Sequence, residues 1–149
     1  METPGRLERV RAAPTVLLDA AHNPHGAQAL AATIGEEFAF RKLVAVVGVM
    51  ADKDARGILE ALEPVVSEVV VTTNSSPRAM PLTELNDLAL SIFGEERVVA
   101  EPALDVAVET AVALAEEGGD EPLAGGGVLV TGSVVTAGEA RTLFGREPA

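Results

Sequence analysis

Three side chains of this sequence combine reactive chemistry with a position just past a short apolar run: Asp19, His22 and Lys53. Asp19 closes the run VLL, and its carboxylate oxygens form an acceptor pair suited to two ribose hydroxyls. A carboxylate there equally serves to satisfy backbone N–H groups at the start of the next helix. His22 stands in the tight loop AAHNP, ahead of a helix begun by Pro24. A lone histidine is commonly a hydrogen-bonded structural residue; its place in that loop argues for a working imidazole. His25, in the first helical turn, reads as solvent-facing and is set aside. Lys53 lies between Asp52 and Asp54 and is one of two lysines, with Lys42. The trio is either a self-neutralised turn with Asp54 at a helix start, or an ammonium held by its neighbours and aimed at a substrate carboxylate. Ser133, after Thr131 and Gly132, is either a helix N-cap or a hydroxyl that receives an anion together with the N–H groups behind it.

Other chemistries are excluded by what the sequence lacks. It contains no GxxxxGK[ST] phosphate loop and no GxGxxG; the glycines of AGGGVLVTGS precede an apolar run instead of joining it to a helix. No histidine pair or carboxylate cluster has metal-ligand spacing, and nothing resembles a Ser-His-Asp set. Cysteine is absent, which removes disulfides, thiol catalysis and zinc-thiolate sites. A formal charge of -12 argues against nucleic acid or an anionic membrane as the main partner. Tryptophan and tyrosine are absent too, so stacking platforms for bases are scarce. The start METPGRLERV has no apolar core of a secretory signal, and a cytoplasmic location is expected.

The elements that must position these groups alternate regularly. Strands are expected near Arg6–Arg11, Thr15–Asp19, Leu43–Val49, Glu68–Thr73, Arg97–Ala100 and Gly127–Thr131. VAVVGVM and VLVTG are almost wholly apolar, which suits strands covered on both faces. Helices are expected over Pro24–Gly35, Asp54–Glu63, Leu82–Phe93, Ala103–Glu117 and Thr136–Phe144, with apolar residues at i, i+3, i+4 and i+7. Asn23 is placed to cap the first, and Gly94 to stop the third. The sequence therefore predicts a single α/β domain: a Rossmann-like, open, mostly parallel sheet of about six strands with helices on both faces. In such a sheet ligands bind outside the carboxyl ends of the strands, so Asp19, His22 and Lys53 are expected around one shared pocket mouth. Residues 118–127 read as an acidic surface loop, and residues 1–3 and 146–149 as disordered ends.

The motifs PGRLERV, VLLDAAHNPHGAQAL, VVGVMADKD, VTTNSSPRAMP and VLVTGSVVTAGEAR, in that order, resemble the C-terminal domain of folylpolyglutamate synthase/dihydrofolate synthase, a family of the Mur ligase superfamily. The resemblance runs from about Pro4 to Gly145; Ala20 stands where the family commonly has glycine. It implies an ATP-dependent ligase that joins L-glutamate to folate or dihydropteroate through an acyl phosphate. It also implies a partner, the family's N-terminal ATPase domain, which carries the phosphate loop, the Mg²⁺ ligands and most of the folate site and is absent from this sequence. Carried over, Asp19 and Arg6 contact the nucleotide and His22 is the functionally required histidine of its loop. By superfamily analogy Lys53 and Ser133 receive the glutamate carboxylates, with Asp52 orienting the lysine. The resemblance implies that this chain alone has no turnover. Two other readings stay open: a Mur-type ligase domain with another substrate, and a non-catalytic nucleotide-binding or interaction module.

Overall fold

The computed structural model describes residues 7–12, 14–117 and 125–145. Six strands are formed: β1 (Glu8–Ala12), β2 (Thr15–Leu18), β3 (Lys42–Val47), β4 (Glu68–Val71), β5 (Val98–Ala100) and β6 (Gly126–Thr131). Five α-helices accompany them: α1 (Pro24–Glu37), α2 (Ala55–Leu62), α3 (Leu82–Phe93), α4 (Leu104–Glu116) and α5 (Val134–Leu143). The sheet order is β1-β2-β6-β3-β4-β5. Only β1 runs antiparallel to its neighbour, so the expected mostly parallel α/β sheet is what forms.

The chain advances across the sheet from β2 through β3 and β4 to β5, then returns to insert β6 between β2 and β3. Right-handed crossovers place helices of the advance on one face and helices of the return on the other. Accordingly Leu30, Ile58 and Leu85, from α1, α2 and α3, share one core with Leu17, Ala45, Val47 and Leu129. Ala107, Ala111 and Ala140, from α4 and α5, share the second with Val16, Val44, Val46 and Val130. Adjacent valines of β3 thus point into opposite cores, which explains a strand without polar alternation.

Helix boundaries follow their caps. α5 begins two residues before the expected Thr136, because the Ser133 side chain caps it by accepting Thr136 N–H. The strands β2, β3 and β4 end one or two residues earlier than expected, where the polar loops take over. Within the stretch expected to be an acidic loop, residues 118–124 lie outside the described ones and Gly126 and Gly127 already belong to β6. The chain ends expected to be disordered also lie outside them.

Away from the carboxyl edge, Arg97 pins the turn before β4. Its guanidinium donates to Glu63 Oε2 at 2.9 Å, and to the carbonyls of Val66 at 2.7 Å, Ser67 at 3.1 Å and Glu63 at 3.2 Å. It also lies 4.9 Å from the centre of the Phe93 ring. A planar fork with this many acceptors has no lysine equivalent. Arg97→Ala is expected to cost about 2–3 kcal/mol in urea denaturation, and Arg97→Lys to restore less than half of it.

Candidate functional site

The site begins where β2 stops. Asp19 still donates its N–H to Val130 O at 3.0 Å, so its backbone is fixed by the last rung of the ladder to β6. Its Oδ1 accepts the Leu7 N–H at 2.7 Å and its Oδ2 the Ala21 N–H at 2.9 Å. The carboxylate thus answers backbone donors, but those of its own loop and of the segment entering β1, not those of α1. Leu7 has a φ of 45°, a left-handed conformation that costs a non-glycine residue about 1–2 kcal/mol. The bond to Asp19 is one of the contacts that hold it there.

Asp19 opens on a cleft of about 530 Å³ whose walls include Leu7, His22, Leu30, Thr33 and Val134. His22 is exposed at its rim. Its Nδ1 lies 3.2 Å from Ala20 O, and a carbonyl only accepts, so a neutral ring makes this contact with its proton on Nδ1 and with Nε2 as the acceptor. Asn23 caps α1 by accepting Gly26 N–H at 2.7 Å. His25 is exposed, as expected.

The loop after β3 supplies the charged triplet. Asp54 caps α2, its Oδ1 accepting Gly57 N–H at 2.9 Å. Asp52 pairs with Arg78, from the loop before α3, at 3.3 Å, and no hydrogen bond or ion pair between Asp52 and Lys53 is formed among the described residues. Lys53 is exposed and forms no ion pair with a described residue. It does not line the cleft of Asp19 and His22. The two loops are nevertheless neighbours, because a side chain on Gly57 would lie 2.5 Å from Pro24 Cγ. The starts of α1 and α2 therefore touch, and Asp19, His22 and Lys53 share one edge of the sheet without sharing one cavity.

Ser133 is sealed, at 1% exposure. Its hydroxyl accepts Thr136 N–H at 2.9 Å and lies 2.9 Å from Thr136 Oγ1 and 3.4 Å from Asn74 Nδ2. Thr136 Oγ1 donates to Gly48 O at 2.8 Å and receives Asn74 Nδ2 at 3.0 Å. Of the two sequence readings of Ser133, the N-cap is the one visible in this arrangement. Asn74, Thr136 and Glu139, which accepts the N–H and hydroxyl of Ser75, were not singled out from sequence. The signal for Thr136 was its spacing from Ser133, the reach of an N-cap. Thr131 Oγ1 is buried and has no described hydrogen-bond partner.

Arg6 lies outside the described residues. Among those described, no group of three or more histidine or acidic side chains is arranged to hold a metal ion. No described helix is long and apolar enough to cross a membrane.

Comparison with known proteins agrees with this architecture. The model of the Mur ligase, glutamate ligase domain family matches residues 5–134. The dihydrofolate synthase/folylpolyglutamate synthase of Mycobacterium tuberculosis is 53% identical over 98% of this chain and 31% of its own length. A crystal structure of the Mycobacterium tuberculosis folylpolyglutamate synthase, complexed with ADP and AMPPCP, superposes with a TM-score of 0.95, covering 100% of this chain and 34% of that one at 53% identity. FolC of Escherichia coli, in complex with DHPP and ADP, has a TM-score of 0.80 at 27% identity over 96% of this chain and 31% of that one. The chain thus spans about a third of the length of these relatives. With a family match across most of its residues and a relative this similar across nearly all of them, the chain belongs to the Mur ligase family, as a glutamate ligase domain.

Proposed function

We propose that this domain forms one wall of the active site of an ATP-dependent ligase that adds L-glutamate to folate or dihydropteroate. The observation that carries this reading is the fixed Asp19 carboxylate beside His22 at the mouth of a cleft, at the carboxyl edge of the parallel sheet. The lining fits a nucleoside: a carboxylate that accepts from ribose hydroxyls, an imidazole, and apolar walls. It does not fit a magnesium ion, which is assigned to the ATPase partner domain. Arg6, just before Leu7, is proposed as a second nucleotide contact.

In this reaction a carboxylate oxygen of the pterin-bearing acid attacks the γ-phosphorus and ADP departs, leaving an acyl phosphate. The amino group of glutamate then attacks the acyl carbon, and phosphate leaves through a tetrahedral intermediate. This domain contributes by closing over the nucleotide, excluding water from the acyl phosphate and bringing cationic and N–H groups to the amino acid. Lys53 is the exposed ammonium for a glutamate carboxylate, and Ser133 with the start of α5 the second contact. For Ser133 to act directly, its O–H must turn outward from Thr136.

The test joins this chain covalently to the remainder of the Mycobacterium tuberculosis relative and follows ATP-dependent glutamate incorporation. Turnover by the joined protein, and none by the chain alone, is the expected result. Full turnover by the chain alone, or incorporation that ignores the acid supplied, contradicts the reading. In the joined enzyme Lys53→Ala is expected to raise the KM for glutamate about tenfold, while its exposed position keeps the stability change within about 0.5 kcal/mol in urea denaturation.

A further inference from the structure

We propose that Asn74 is a positioning residue for the incoming amino acid, setting the distance between the start of α5 and the loop that carries Lys53. The inference rests on the glutamate-ligase reading and adds a residue to it. Asn74 uses both ends of its amide. Oδ1 accepts Ser76 N–H at 2.9 Å, which leaves Nδ2 for Thr136 Oγ1 at 3.0 Å and Ser133 Oγ at 3.4 Å. A backbone N–H needs an acceptor, so the amide cannot be reversed without losing its own turn. Ser75 is held on the same helix by Glu139. A few residues on, the segment is tied to the other loop: Ala51 N–H donates to Arg78 O at 2.8 Å and Met80 N–H to Val49 O at 2.8 Å. Arg78 also holds Asp52, next to Lys53. One short strap therefore spans the two candidate glutamate contacts.

Asn74 also governs what Ser133 has to give. Thr136 spends its own hydroxyl proton on Gly48 O and needs a donor facing its remaining lone pairs. Asn74 supplies that donor, so the Ser133 O–H is released from the task when it turns toward a carboxylate. Without Asn74, Ser133 is the remaining described side-chain donor to Thr136 and stays turned inward.

The experiment measures KM for glutamate and for ATP, with kcat, in the joined ligase carrying Asn74→Ala or Asn74→Asp. Aspartate keeps the acceptor for Ser76 and loses the donor, so it separates turn geometry from the donor role. Both variants are expected to raise the glutamate KM about tenfold, with the ATP KM changed less than about twofold. Should Asn74→Ala fail to fold, Asn74→Asp, which keeps the acceptor for Ser76 N–H, carries the test alone and is expected to show the same split. An unchanged glutamate KM, equal rises in both KM values, or full recovery with aspartate overturns the proposal. If the unsubstituted joined protein shows no glutamate dependence, the ligase reading itself fails, and that result is distinct from the others.

Discussion

Asp19→Ala in the joined ligase is expected to lower kcat/KM for ATP about 100-fold, the scale of two charge-assisted hydrogen bonds to hydroxyls lost together. The same substitution leaves the N–H groups of Leu7 and Ala21 without their acceptor, so it is also expected to cost about 1–3 kcal/mol of stability. Activity must therefore be read well below the melting transition. His22 removes the ambiguity. It is exposed and its one described contact is to a nearby carbonyl, so His22→Ala is expected to unfold no more easily than the parent. If the imidazole works in the reaction, the variant still loses about 100-fold in turnover. Steady-state kinetics beside urea denaturation checks both. Full activity in the two variants together would remove the site assignment.

The second large effect is on the backbone that joins the loops. Gly132 has a φ of +115°, and a Cβ there would lie 2.5 Å from Gly48 O. Its N–H donates to Ala21 O at 3.2 Å, which ties the loop after β2 to the end of β6. Alanine meets a backbone conformation closed to it and a carbonyl already held in place by the Thr136 hydroxyl at 2.8 Å. Gly132→Ala is expected to lose about 3 kcal/mol or more, read as a fall in the urea midpoint at constant slope. An unchanged midpoint would mean that β6 and β3 separate more easily at this edge than their paired backbones imply.

The architecture was legible because its signals are local. VAVV and VLV carry no alternation, and a strand buried on both faces is what they form. Asn23 and Asp54 announced the starts of α1 and α2, and both cap as their types require. The insertion of β6 between β2 and β3 was not legible, since strand order depends on pairings far apart in the chain. The placement of the candidate residues was legible to the same depth. Asp19, His22 and Lys53 were singled out because each follows a strand, and strand ends converge on one edge. The grouping within that edge required three dimensions. That Asp52 meets Arg78 is decided by a loop 26 residues away, and Asn74 reaches Thr136 across 62 residues. Leu7 gave no sign of its left-handed backbone, because leucine does not ordinarily adopt it.

The most direct test of the half-site is a map of amide chemical shifts in the ¹⁵N-labelled chain, titrated first with ADP and then with glutamate at millimolar concentration. The nucleotide is predicted to move Leu7, Ala21, His22 and Val134, and glutamate to move Lys53, Asn74 and Ser75, all at the carboxyl edge of the sheet. Shifts confined to the opposite edge, at Ser67 and Gly125, or to the hollow beside Arg11, Glu109 and Phe144, would contradict it.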